Sequence, residues 1–239
     1  RWWEVPDMDR IGYPIAEVRE DGQLIITKPQ GTGGLVTPDT VKEQLYYEVH
    51  DPADYVNPDV VADFSRIRLS QEGPDRVLVE GARGRPRPET LKVTAGYEDG
   101  WMGQAMIGYS WPDALEKARA AERIIRAQMG RLGLKPQEIH VEYWGVNALH
   151  GPLAPIPEEP NEVFLRIAIR TASREEAERL ARLFPPLALY GPPFIGGALP
   201  GLSRSRQLLG IWSTAIPRQW VEEAVNVEVW TTEQVEQTA

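Results

Sequence analysis

The stretch over residues 24–48, LIITKPQGTGGLVTPDTVKEQLYYE, constrains the fold of this chain more than any other. It reads as a short apolar strand, a loop carrying Gly31, Gly33 and Gly34, and a helix with a defined start. Thr37 has the side chain of an N-cap, Pro38 suits the first helical position where its missing N–H costs nothing, and Asp39 complements the positive end of the helix dipole. The helix is expected to run to about Val49, with Val41, Leu45 and Val49 forming a narrow buried stripe. A glycine-rich turn between strand and helix can present backbone N–H groups to phosphate or carboxylate oxygens, with Lys28, Thr32, Gly33 and Gly34 as the anion-binding candidates. It can equally serve as a tight connection that needs only glycine's conformational freedom, since the spacing matches neither the Walker nor the Rossmann pattern.

Acidic and basic side chains gather around this unit. Glu43, Glu48 and His50 are the candidates for proton transfer, although His50 also suits the C-terminal end of the helix. The following loop, HDPADYVNPDVVADFS, carries Asp51, Asp54, Asp59 and Asp63. Oxygen ligands suit Mg²⁺ or Ca²⁺, but the spacing is not that of an EF-hand, and aspartates beside prolines form turns and caps, so no metal site is assigned. Residues 66–69 and 76–80 alternate across EGPD as a β-hairpin, and Asp21-Gly22 marks an earlier one. GARGRPRPETLK then concentrates Arg83, Arg85, Arg87 and Lys92 among prolines. This is either an extended arm that grips anionic groups, with Arg83 and Arg85 as candidates, or a solvated linker. The shift in composition places a domain boundary here, giving domains 1–88 and 89–239.

Beyond the boundary the order is strand, helix, strand, strand, helix. KVTAGYE and MGQAMIGYS are strands; residues 112–133 form the longest helix, stopped by Gly133; EIHVEYWGV and NEVFLRIAIRT are strands; and Ser173 with Glu176 caps a second helix. RQLLGIWSTAI and VNVEVWT are expected to complete the sheet. The fold class is therefore α/β (α+β), a strand, glycine loop and helix unit with a β-hairpin, followed by a ferredoxin-like α+β sandwich. Two loops are secondary candidates: WGVNALHGP, with Asn147 and His150, and PPFIGGALPGLSRSR, long enough for a lid, a binding loop or a subunit contact.

A net charge of −9 opposes nucleic acid and anionic membrane surfaces as partners. The chain has no cysteine, hence no disulfide framework or thiolate metal site, in keeping with a cytoplasmic location. It lacks a G-x-S-x-G elbow and a nucleotide-hydride motif, which disfavours α/β-hydrolase and dehydrogenase chemistry. Trp2 and Trp3 at the start are expected to pack on a preceding domain or a separate subunit, in a homo- or hetero-oligomer.

Several runs together resemble a known family. GYPIAEV from Gly12, TKPQGTGGLVTPDTVKEQLYYEVHDPADYVNPDVVADF, GARGRP and TLKV occur in the order and spacing of the C-terminal part of the core region of the AtuA family, named from acyclic terpene utilisation. The similarity covers most of residues 11–96 and extends more loosely to the end; Tyr46 and Val49 stand where leucine and isoleucine are expected. The resemblance implies a cytoplasmic catabolic protein for branched acyclic terpenoid or related carboxylic acids, handled as CoA thioesters. Its chemistry is expected to be that of a hydratase or lyase with no cofactor beyond a CoA thioester substrate. The alternative is a noncatalytic subunit or assembly domain that completes a site with another domain or chain.

Overall fold

The computed structural model describes residues 1–198 and 205–228, and the chain divides into two compact units. One comprises Arg1–Val93 with the stretch from Thr214 onward, and the other is Thr94–Ser213.

The first unit is built on a four-stranded antiparallel sheet of β1 (Ile15–Val18), β2 (Leu24–Thr27), β5 (Arg68–Gly73) and β6 (Arg76–Glu80), in the order β1-β2-β6-β5. The Asp-Gly turn closes the first hairpin: the Asp21 carboxylate accepts the Gln23 N–H at 3.0 Å, and Gly22 takes φ +83°. Helix α1 (Pro38–Tyr46) begins where the sequence places it. Thr37 and Thr40 exchange side-chain to backbone hydrogen bonds across the first turn, satisfying two otherwise orphaned donors. Val41 and Leu45 pack with Val36, Val77 and Val79 on one face of the sheet. The helix stops a turn earlier than the apolar spacing predicts, because Tyr47 turns extended and Glu48 takes φ +60°, so Val49 lies outside it.

A smaller sheet joins β3 (Tyr55–Val56), β4 (Val61–Asp63) and β7 (Arg83–Arg85). Arg83 and Arg85 therefore sit in a strand of this sheet, and Arg87 lies just beyond it. Asp51 and Asp63 accept backbone N–H groups two residues on, from Ala53 and Ser65, both at 2.9 Å. The Ser65 hydroxyl and amide hold the Asp63 carboxyl below its usual value. The chain returns to this unit through a short helix over Arg218–Glu222, where the Arg218 guanidinium donates to the Pro88 carbonyl at 2.9 Å and also reaches that of Pro58.

The second unit has the ferredoxin-like βαββαβ order. Its strands are β8 (Thr90–Ser110, which starts in the first unit), β9 (Glu138–Trp144), β10 (Glu162–Thr171) and β11 (Ile195–Ala198), arranged β11-β8-β10-β9 with antiparallel neighbours. Helices α2 (Ala114–Arg131) and α3 (Arg174–Ala181) pack with it in a core that includes Ile107, Ile125, Leu165, Ile167 and Leu180. The end of α2 is a Schellman motif: the Leu134 N–H reaches the Met129 carbonyl at 2.9 Å and the Gly133 N–H that of Gly130 at 3.2 Å. Ser173 caps α3 by accepting the Glu176 N–H at 3.3 Å. Gly103 is required by packing, since a Cβ there would lie 2.1 Å from the Ala177 carbonyl oxygen of α3.

Three strand expectations change. The two strands read before α2 are one continuous strand, β8. The fourth strand of the sandwich is Ile195–Ala198, within the glycine- and proline-rich stretch read as a loop. RQLLGIWSTAI does join this sheet as expected, within β12 (Arg206–Pro217), which pairs with β8 off the main strand order. VNVEVWT lies partly outside the described residues, and Val225 to Glu228 are not in a strand. Among the described residues, no helix is long and apolar enough to cross a membrane.

Candidate functional site

The glycine loop and α1 wall the cavity that stands out in the first unit, a hollow open to solvent on one side. Its volume is about 260 Å³, and it is walled by Ile11, Pro14, Ile26, Leu35, Val36, Val41 and Leu45, with Gly12, Gly33, Gly34, Lys28, Thr40 and Gln44. The loop holds its place by backbone contact with the N-terminal segment. Gly33 donates to the Arg10 carbonyl at 3.1 Å, Gly34 donates to the Pro6 carbonyl at 2.9 Å, and Ile11 bridges to Gly33. Only glycine fits at position 33, because a Cβ would lie 1.9 Å from the Asp7 carbonyl oxygen.

Lys28 acts inward on this loop. Its ammonium donates to the carbonyls of Thr32 at 2.9 Å, Gly33 at 3.3 Å and Gly34 at 2.8 Å, and lies 3.3 Å from the Asp75 carboxylate. Three N–H groups thus face four oxygens. The Thr32 hydroxyl is spent on the Pro29 carbonyl at 2.7 Å. An anion held by Lys28, Thr32 and the Gly33 and Gly34 amides would have to displace these bonds.

The structure brings Lys28, Gly33 and Gly34 together at the cavity, and Thr32 adjoins it. The proton-transfer candidates stand elsewhere: Glu43 is exposed on α1 and is not among the lining residues, Glu48 follows the helix, and His50 is exposed beyond it. Arg83 is exposed in β7, while Arg85 pairs with Asp54 and donates to the Ala53 carbonyl at 3.1 Å, fastening the aspartate loop. In the second unit Asn147 accepts the Tyr143 N–H at 3.0 Å as a turn residue, and His150 is exposed at the start of a short 3₁₀ turn. Arg204 of the second candidate loop lies outside the described residues.

Sequence reasoning did not single out Ile11, Ile26, Leu35 and Gln44 as site residues. A signal existed for one of them: Thr40 and Gln44 are four apart beside the Val41–Leu45 stripe, and therefore share the helix flank that borders it. Among the described residues the Gln44 carboxamide makes no hydrogen bond, whereas the single proton of the Thr40 hydroxyl is shared between the Leu35 and Thr37 carbonyls, both at 3.1 Å.

The second unit has a larger hollow of about 590 Å³ between the start of α2 and residues 156–160. Asp113, Glu116, Glu158 and Glu159 wall it, and its one cation, Arg119, is paired with Glu116 at 2.7 Å. Size notwithstanding, it offers an organic acid no free cation, and the apolar cavity is the better candidate for a carbon chain. Among the described residues, no group of three or more His, Asp or Glu side chains is placed to hold a metal ion.

No curated protein and no solved structure matched the chain in comparisons with known proteins. A family model did, over residues 1–227, nearly the whole length. The chain belongs to that family, the acyclic terpene utilisation family AtuA.

Proposed function

We propose that the first unit is a binding module that holds the branched hydrocarbon chain of an acyclic terpenoid acid, or of its thioester, in the cavity beside the glycine loop. The observation that carries this reading is the lining itself: seven aliphatic or proline side chains surround a space of about 260 Å³, and no carboxylate or imidazole enters it. That volume is just under the roughly 300 Å³ at which small-molecule pockets begin. It suits a hydrocarbon chain and leaves a CoA moiety outside. Family membership supplies the pathway, the utilisation of acyclic terpenes.

The addition or removal of water expected of a hydratase or lyase needs an acid and a base within hydrogen-bond reach of the substrate. Glu43, Glu48 and His50 do not line the cavity. In our reading such groups come from another domain or chain, and this unit contributes the acyl-binding wall. Thermal unfolding with ligand present tests the idea, since a ligand that binds only the folded state raises the midpoint. The methyl ester of a branched acyclic terpenoid acid raises it and free CoA does not. Leu45→Trp, which occludes the cavity, abolishes the rise while unfolding stays cooperative. A flat response to the ester overturns the proposal.

A further inference from the structure

The lining also constrains which end group the bound molecule carries, an inference that rests on the acyl-binding reading above. Of the three polar side chains at the cavity, two are committed. Lys28 is consumed by three carbonyls and Asp75, and Thr40 by the cap of α1. The amides of Gly33 and Gly34 are spent on Arg10 and Pro6. What remains is Gln44, half of whose carboxamide donates and half of which accepts, without a partner among the described residues. A carboxylate entering this cavity finds no uncommitted cation, and whatever water it gives up there is replaced by at most one neutral hydrogen bond. An uncharged oxygen function loses much less on entry and is satisfied by the same amide.

We infer that the site selects an uncharged oxygen function, a thioester, ester or alcohol, over the free carboxylate, and that Gln44 is the residue that reads it. The N–H of its carboxamide donates to a carbonyl oxygen of the ester or thioester, and its carbonyl accepts from the hydroxyl of an alcohol. A thioester leaves its bulky thiol portion outside the cavity, in keeping with the small volume.

The test is isothermal titration of the whole chain at pH 8 with three probes sharing one branched chain: citronellol, methyl citronellate and sodium citronellate. Alcohol and ester bind, and the carboxylate binds about fivefold more weakly or worse. Gln44→Leu, which keeps the size and removes the amide, weakens ester and alcohol binding by about threefold to tenfold, the scale of one neutral hydrogen bond, and narrows their advantage over the carboxylate. Carboxylate binding as tight as that of the ester overturns the inference and leaves the acyl-binding reading standing, as does a Gln44→Leu variant with unchanged affinities. Failure of all three probes to bind overturns both. Circular dichroism and the unfolding midpoint of the variant verify that it is folded, which an exposed position on α1 favours.

Discussion

The Lys28 ammonium stands 3.3 Å from one oxygen of the Asp75 carboxylate, and the other oxygen of that carboxylate accepts the Val36 N–H at 2.9 Å. Asp75 sits at the turn between β5 and β6, so this pair ties a hairpin tip to the loop and helix entry that wall the cavity. Lys28→Met removes the donor shared by three loop carbonyls and is expected to cost about 2 to 3 kcal/mol in urea unfolding. Asp75→Ala is expected to cost about 2 kcal/mol by the same measurement. A loss in either variant below the error of the midpoint contradicts a clamping role.

Gly33→Ala drives a methyl group against the Asp7 backbone, where an ideal Cβ lies 1.9 Å from the carbonyl oxygen. Neither backbone can yield without breaking the bonds from Gly33 to Arg10 and from Gly34 to Pro6. Amide hydrogen exchange at positions 33 and 34 is therefore expected to speed up strongly in the variant, with the β8–β10 amides of the second unit unaffected.

In the second unit Gly103→Ala meets the Ala177 carbonyl oxygen of α3 at 2.1 Å. Overpacking of this kind costs roughly 1 to 3 kcal/mol, and an undiminished unfolding midpoint would show that α3 lies farther from the sheet than described.

Glu142 gives the same unit an acid sensitivity. Burial favours its neutral form, but hydrogen bonds from Trp144, Arg166 and His140 outweigh this and hold its carboxyl below the ordinary 4.5. A folded pKa below the unfolded one contributes stability that is present above the unfolded value and is lost as pH falls through the folded value. Stability is thus expected to decline below about pH 4.5, and Glu142→Gln is expected to lessen the decline. Unfolding midpoints from pH 7 down to pH 3 check it; parallel curves for the two proteins contradict it.

Much of the fold was legible where local chemistry decides it. Thr37 and Pro38 start α1, Gly133 ends α2, Ser173 starts α3 and Asp21-Gly22 turns the first hairpin, because each rule concerns neighbours in sequence. The end of α1 was not, since the apolar stripe continues to Val49 while the backbone leaves the helix at Tyr47. Nor was the edge strand Ile195–Ala198, whose two glycines and flanking prolines read as loop and whose strand character comes from pairing with β8. The site divides in the same way. A loop beside Lys28 was legible, but the direction of its carbonyls toward that lysine depends on contacts with residues 6–10 and Asp75, remote in sequence. The apolar wall was hidden for a similar reason: Ile11, Ile26 and Leu45 come from three separate segments.

Occupancy of an acyl-binding cavity beside the glycine loop is read residue by residue by methyl-resolved NMR during titration with methyl citronellate. The methyl signals of Ile11, Ile26, Val41 and Leu45 are expected to shift together and saturably, with contacts from ligand to these methyls, while those of Ile125, Leu165 and Ile167 in the second unit hold still. Saturable binding that leaves the four cavity methyls unmoved would contradict it.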